Sequence, residues 1–195
     1  MSDDVAALVH HGLLPAVWWA WALYWWISSR DVKATARRES ALSRLMHLGP
    51  MAIAAAILWA PAVGVPLLDA RFLPRTPWAF GIGTVVTVAG LAFSVWARRV
   101  LGRNWSAIVT LKEGHELVTR GPYALVRHPI YTGLLLGFLG SAIARGRWTG
   151  LLATALFFLS ALHKYRLEER WMRERFGDDY DAYRSRVKAI VPYLF

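Results

Sequence analysis

With 195 residues, 56% of them hydrophobic, and a mean hydropathy of +0.32, the chain is long enough for one domain and too apolar for an ordinary soluble one. It has no cysteine, which excludes disulfides, thiolate metal sites and cysteine nucleophiles. A formal net charge of +10 would suit nucleic acid in a soluble protein, but its distribution points to a lipid bilayer as partner and away from nucleic acid.

Four segments free of Asp, Glu, Lys and Arg approach or exceed the roughly 20 residues that a spanning helix needs. They are Val5 to Ser29, Leu45 to Leu68, Thr76 to Ala97 and His128 to Ala144, and a shorter fifth runs from Trp148 to His163. Only Arg145, Gly146 and Arg147 separate the last two, which therefore read as a helical hairpin. The expected fold is an all-α polytopic membrane protein with about five transmembrane helices. Of the 23 Lys and Arg residues, 19 lie in 30–44, 98–127 and 164–188, and the other four are Arg71, Arg75, Arg145 and Arg147. Positive charge on alternate loops places the amino terminus outside and the carboxyl terminus in the cytoplasm, and Asp3 and Asp4 agree with this.

The first segment reads as a retained helix, because no basic region precedes it and Trp18, Trp19, Trp21, Trp25 and Trp26 suit an interfacial end. His10 and His11 are adjacent, about 100° apart on a helix, and do not form a metal clamp; an interfacial role is expected. Ser28 to Arg44 is polar and helix-compatible, with Arg37, Arg38 and Arg44 available to anionic headgroups. Gly49 and Pro50 are expected to open the second helix, which ends by Pro66. In the third, Gly81, Gly83, Gly90, Thr84 and Thr87 allow close helix approach. Gly81-Ile82-Gly83 begins no dinucleotide fingerprint, since Val86 stands where the third glycine belongs.

Beyond Arg98 the chain is polar for some thirty residues, too long for an idle loop. Trp105, Ile108, Val109, Leu111, Leu117 and Val118 predict order, and Gly102 and Gly114 turns. Gly121-Pro122-Tyr123 is a rigid turn. Pro129 suits the first position of the fourth helix and pushes His128 to extended geometry at the cap. That helix start, beside Arg127 and followed by Tyr131 and Gly133, offers N–H groups to an anionic ligand. The fifth helix runs out of the membrane through Lys164 to Arg175 and stops near Gly177, where Asp178 or Asp179 caps a last helix. The apolar run Ile190 to Phe195 is placed to pack back. Glu168 and Glu169 have two readings: a solvated i, i+4 ladder with Lys164 and Arg173, or carboxylates aimed into a pocket. No phosphate loop, nucleophile elbow or zinc-protease helix is present. The residues alone define a membrane protein with a cytoplasmic-facing polar ligand pocket.

At these positions the sequence resembles the isoprenylcysteine carboxyl methyltransferase family and the related phospholipid methyltransferases. The resemblance runs from Leu101-Gly-Arg-Asn-Trp-Ser through Leu117-Val-Thr-Arg-Gly-Pro-Tyr, Val126-Arg-His-Pro-Ile-Tyr-Thr-Gly and Leu167-Glu-Glu-Arg to Phe176-Gly-Asp-Asp-Tyr-Asp-Ala-Tyr and Pro192, about the last hundred residues. The three amino-terminal membrane helices (1–97), read from hydropathy, do not carry the resemblance; it implies a methyltransferase core (98–195) with S-adenosylmethionine as cofactor, and no metal site is expected. The implied cofactor-binding residues are Val118, Gly121, Pro122, Tyr123, Arg127, His128, Tyr131, Glu168 and Glu169. The implied acceptor is a small amphipathic or lipid-like molecule, a carboxylate such as a prenylcysteine, oriented by Arg166, with Lys164 the other basic candidate and Asn104 a further catalytic one. A phospholipid amine, a thiol, a non-catalytic sensor or transporter, and a reductase remain alternatives.

Overall fold

The computed structural model describes residues 12–106, 110–112 and 116–192. Among these lie seven helices: α1 (Leu14–Ser28), α2 (Ala41–Trp59), the one-turn α3 (Pro66–Asp69), α4 (Pro77–Leu101), α5 (Pro129–Arg145), α6 (Trp148–Phe176) and α7 (Asp178–Arg186). His10, His11, Ile108, Val109, Gly114 and residues 193–195 fall outside the described residues. The helical expectation holds for the body of the chain, with one addition. β1 (Thr35–Arg38) pairs antiparallel with β2 (Thr110–Lys112), Thr35 opposite Lys112 and Arg38 opposite Thr110. Two polar loops at the same end of the bundle thus satisfy part of each other's backbone, where a helix was expected in the first.

Helix α2 starts eight residues before Gly49, at Ala41. Ser40 is extended (ψ 157°) and its hydroxyl accepts from the Ser43 N–H at 3.2 Å, a side-chain N-cap that the apolar run conceals. Pro50 therefore sits inside the helix, where it offers no N–H to the carbonyl one turn back, a loss that membrane helices tolerate. The helix ends at Trp59, and the Asp69 carboxylate closes the turn that follows by accepting from the Val63 and Gly64 N–H groups, both at 2.9 Å. At the far end of the chain, Gly177 (φ 52°) caps both α6 and α7. Asp178 and Asp179 lie in the first turn of α7, opposite the positive end of its dipole, and not at the cap.

The bundle is centred on the antiparallel pair α4 and α5, which glycines bring into backbone contact. A Cβ on Gly83 would fall 2.4 Å from the Ala144 nitrogen, one on Gly90 2.5 Å from the Gly133 carbonyl oxygen, and one on Gly133 2.4 Å from the Gly90 oxygen. Gly81 faces open space. Leu58, Leu91, Phe138 and Phe157 fill the core between α2, α4, α5 and α6.

Two helices, Ala41–Trp59 and Pro77–Asn104 (α4 with its 3₁₀ extension), are long and apolar enough to cross a bilayer. Only 17% and 33% of their apolar windows are buried within the protein, so these are not core helices of a soluble fold. Trp19, Leu23 and Trp26 on α1, Leu42, Leu45 and Ile53 on α2, and Trp78, Ile82 and Val85 on α4 all point outward, as lipid-facing side chains do. Helix α5 has 17 residues and lies just below that length.

The α4–α5 seam predicts that Gly133→Ala lowers thermal stability in detergent by about 1–3 kcal/mol, because the added methyl meets backbone. Gly81→Ala should be neutral or slightly stabilising. Differential scanning fluorimetry of both variants checks this.

Candidate functional site

The site forms where α5 begins and α6 leaves the apolar layer. Pro129 is the first residue of α5 and His128 its cap, with ψ 59° and no side-chain capping bond. The approach to the cap is fastened by the carboxyl-terminal tail. The Arg127 N–H donates to the Lys188 carbonyl at 2.8 Å, the His128 N–H to Ala189 at 2.9 Å and the Thr132 hydroxyl to Ile190 at 2.7 Å. Ala189 and Ile190 are buried, so the start of the apolar run packs back against the bundle. The turn upstream, a 3₁₀ helix over Gly121–Ala124 with Gly121 at φ 62°, buries Tyr123, whose carbonyl accepts the Tyr183 hydroxyl at 2.6 Å.

Across from this wall, α6 presents Lys164 and Glu168, one turn apart on one face, with Glu169 on the flank. Glu168 accepts the Tyr131 hydroxyl at 2.7 Å, and its second oxygen lies 3.6 Å from His128 Nδ1. Glu169 Oε1 accepts Arg127 Nε at 2.8 Å and Nη2 at 2.7 Å, and lies 3.1 Å from His128 Nε2. Arg184 Nε approaches its other oxygen at 3.7 Å. The His128 ring is thus held between two carboxylates and lies against Tyr131 and Tyr165, with centroids 5.7 and 5.0 Å apart. Burial alone would raise the Glu169 carboxyl. The hydrogen bonds and positive charge of His128 and Arg127 outweigh it and hold the group down at about 2, against 4.5 when free. Burial pushes Tyr123 and Tyr183 up, with nearby Glu168 adding to the rise at Tyr123, so both phenols are neutral hydrogen-bonding groups at physiological pH.

A cavity of about 310 Å³ opens between these walls, at the low end of the range for small-molecule sites. Asn104, Val118, Tyr123, Arg127, His128, Tyr131 and Glu168 line it, seven of the expected residues. Gly121 and Pro122 stand behind Tyr123 and shape the turn, and Glu169 is turned into the strut with Arg127. Arg166 requires correction: it is exposed and does not line the cavity, whereas Lys164 is buried within it, its Nζ 5.5 Å from the Tyr131 ring centre. Two residues on a helix are about 200° apart, so a side chain at 166 points away from the face that 164 and 168 share.

Not foreseen was the apolar half of the cavity, which Trp21 and Trp25 of α1 and Leu48 and Met51 of α2 supply. The indoles of Trp18 and Trp21 fix α1 by donating to Ser141 and Ser94 hydroxyls at 3.0 and 2.8 Å. Spacing of three and four between Trp18, Trp21 and Trp25 is the signal that one face of α1 turns inward. The donor set suits S-adenosylmethionine: Glu168 for an ammonium group, Lys164 for an anion, aromatic faces for a sulfonium cation. Asn104 adds a carbonyl oxygen that is buried and has no hydrogen-bond partner among the described residues, an acceptor open to a ligand N–H.

Residues 78–179 match the phospholipid methyltransferase family, about half of the chain, and the chain belongs to that family. A fission yeast (Schizosaccharomyces pombe) relative named protein-S-isoprenylcysteine O-methyltransferase is 34% identical over 96 residues, covering 48% of this chain and 41% of that one. A tomato (Solanum lycopersicum) relative named steroid 5-alpha-reductase DET2 is 28% identical over 116 residues, 60% of this chain and 42% of that one. The chain thus spans less than half the length of each. Among solved structures, a eukaryotic intramembrane Ras methyltransferase (isoprenylcysteine carboxyl methyltransferase) superposes with a TM-score of 0.51 at 24% identity, over 81% of this chain and 55% of that one, a likeness of fold.

Because the folded-state carboxyl of Glu169 titrates below its unfolded value, its contribution is complete above about pH 4.5 and disappears as pH falls through about 2. Glu169→Gln should lower the melting temperature at neutral pH and flatten the loss of stability between those two values. Thermal unfolding of both proteins across that range tests it.

Proposed function

We propose that this protein is an integral-membrane, S-adenosylmethionine-dependent methyltransferase whose acceptor is a small amphipathic or lipid-like molecule bearing a carboxylate. The carrying observation is one cavity with two unlike halves: the carboxylate of Glu168 and the side-chain amine of Lys164 on one wall, and Trp21, Trp25, Leu48 and Met51 on the other. The relatives named for O-methyl transfer to isoprenylcysteine support the reading. About five membrane helices are proposed, with the shorter ones shielded by their neighbours. The cavity is placed on the cytoplasmic side, where 19 of the 23 basic residues lie. The catalytic core is proposed to be residues 98–195, working against the helices of 1–97.

When bound, S-adenosylmethionine supplies an electrophilic methyl group on a sulfonium sulfur. Glu168, fixed by the Tyr131 hydroxyl, is assigned to its ammonium group, and the Asn104 carbonyl to a further N–H. Lys164 takes over the role expected of Arg166. It would hold the acceptor carboxylate so that an oxygen lone pair faces the transferable methyl group. Glu169 and Arg127 act indirectly, as positioning residues for His128. The site needs no group to remove a proton, because a carboxylate is already the nucleophile at neutral pH. Its work is alignment and exclusion of water.

The family itself favours a second reading, transfer to a phospholipid amine, in which Glu168 would serve the acceptor and Lys164 would oppose it. Calorimetry on the folded protein in detergent should detect binding of S-adenosylmethionine and S-adenosylhomocysteine. Binding of NADPH with neither of these would overturn methyl transfer in favour of a reductase. Glu168→Gln should weaken cofactor binding roughly tenfold or more, the cost of losing a charged hydrogen bond. Lys164→Met should lower methyl transfer to a carboxylate acceptor without a matching loss of cofactor affinity, and Arg166→Ala should leave both unchanged. An unaffected Lys164→Met enzyme would favour the amine.

A further inference from the structure

The end of the bundle opposite the cavity carries a second constellation. Arg71, Arg75, Arg145 and Arg147 are the basic residues of its two loops, and the acid beside them, Asp69, has both carboxylate oxygens committed to the Val63 and Gly64 N–H groups. The loops are locked together. Arg71 pairs with Arg147 in an isolated antiparallel bridge, the Phe72 N–H donates to the Gly146 carbonyl at 2.9 Å, and the Trp148 N–H donates to Ala70 at 3.2 Å. Like charges are therefore held close without an acid between them among the described residues. Arg71 Nη2 would lie 2.6 Å from a Cβ on Gly146, and the guanidinium of Arg71 is held below its ordinary pKa first by burial and then by Arg75 and Arg147. Three of the four are anchored by one arm to a backbone carbonyl: Arg71 Nε to Leu73 at 3.0 Å, Arg145 Nη2 to Ala60 at 2.9 Å, and Arg147 Nη1 to Pro61. This fixes their direction and leaves other guanidinium N–H groups to meet an anion, and the Arg145 Nε is buried with no hydrogen-bond partner among the described residues.

Directly beside this cluster is an apolar groove of about 300 Å³ lined by Leu67, Leu68, Trp148, Leu151 and Leu152. Its two walls are the helices that adjoin the arginines: α3 leads into Arg71, and α6 starts right after Arg147. A preordered positive cluster, with no acid between its arginines among the described residues, at the end of an apolar groove on a lipid-facing surface is complementary to one kind of molecule. We propose that this face binds an anionic phospholipid, the phosphate held by Arg71, Arg75 and Arg147 and an acyl chain lying along Leu67, Leu68, Leu151 and Leu152. This site is separate from the cavity and does not depend on the methyl-transfer reading.

Native mass spectrometry of the detergent-purified full chain, mixed with dioleoylphosphatidylglycerol or dioleoylphosphatidylcholine, tests the proposal. Retention of the phosphatidylglycerol in preference to the phosphatidylcholine is expected. Bound phosphatidylglycerol should fall roughly fivefold for each arginine removed in Arg71→Gln and Arg75→Gln. Leu67→Glu, a change at a side chain 74% exposed and so compatible with folding, should lower it as well. Equal retention of both lipids, or phosphatidylglycerol binding unchanged in Arg75→Gln and Leu67→Glu, overturns it. Glycerol phosphate competing as well as the intact lipid would also overturn it, since the groove would then contribute nothing.

Discussion

The carboxylate of Glu169 is the point on which the site depends. It takes two nitrogens of Arg127 and one of His128 on a single oxygen, and so joins the start of one helix to the flank of another across the mouth of the cavity. Removing either partner from such a pair leaves a charge in a partly desolvated place, which is far costlier than the pair is favourable. The consequence is geometric. Arg127, fixed to Glu169 and to the carbonyls of the α7 end, thus holds the His128 ring beside Tyr131 and Glu168. The tail that follows α7 completes it by taking the free backbone N–H groups at residues 127 and 128.

That junction has to be mounted on something stiff, and the α4–α5 seam supplies it. Glycines at 83, 90, 133 and 140 let two backbones touch, a form of packing suited to a lipid environment, where apolar burial gives no net drive for helices to associate. The same α5 that is locked at its middle by Gly133 and Gly140 carries Tyr131 and Pro129 at its beginning. Stability and site geometry therefore reside in one helix. Helix α1 is attached differently, through indole-to-hydroxyl bonds and aromatic contacts.

Much of the polar half of the site could be read in the sequence, because its determinants are local. Pro129 after His128 fixes where a helix begins, and Gly121-Pro122 fixes a turn, whatever surrounds them. The contact between that stretch and the glutamates was also legible as a requirement. What escaped was phase and partnership. Whether Lys164 or Arg166 faces inward depends on the rotation of α6, and its mostly apolar first half followed by a second half with charge on every face gives no clear stripe from which to read it. The β1–β2 ribbon joins loops that sequence proximity does not connect. Ser40 marks the true start of α2, but Ser43, Arg44 and His47 make its first turns look like loop. His47 is in fact fully buried, 2.8 Å from Glu39, a polar pair hidden where the pattern suggested a surface.

Helix α6 runs unbroken for 29 residues, about 44 Å at 1.5 Å per residue. It begins beside the arginine cluster, passes the core at Phe157 and ends beyond the cavity. Its angular setting is fixed by packing at one end and expressed as chemistry at the other. Any insertion or deletion of one residue between Phe157 and Lys164 would turn the inward-facing pair by about 100° and exchange it for other side chains. The helix therefore acts as a ruler whose register decides which side chains enter the cavity.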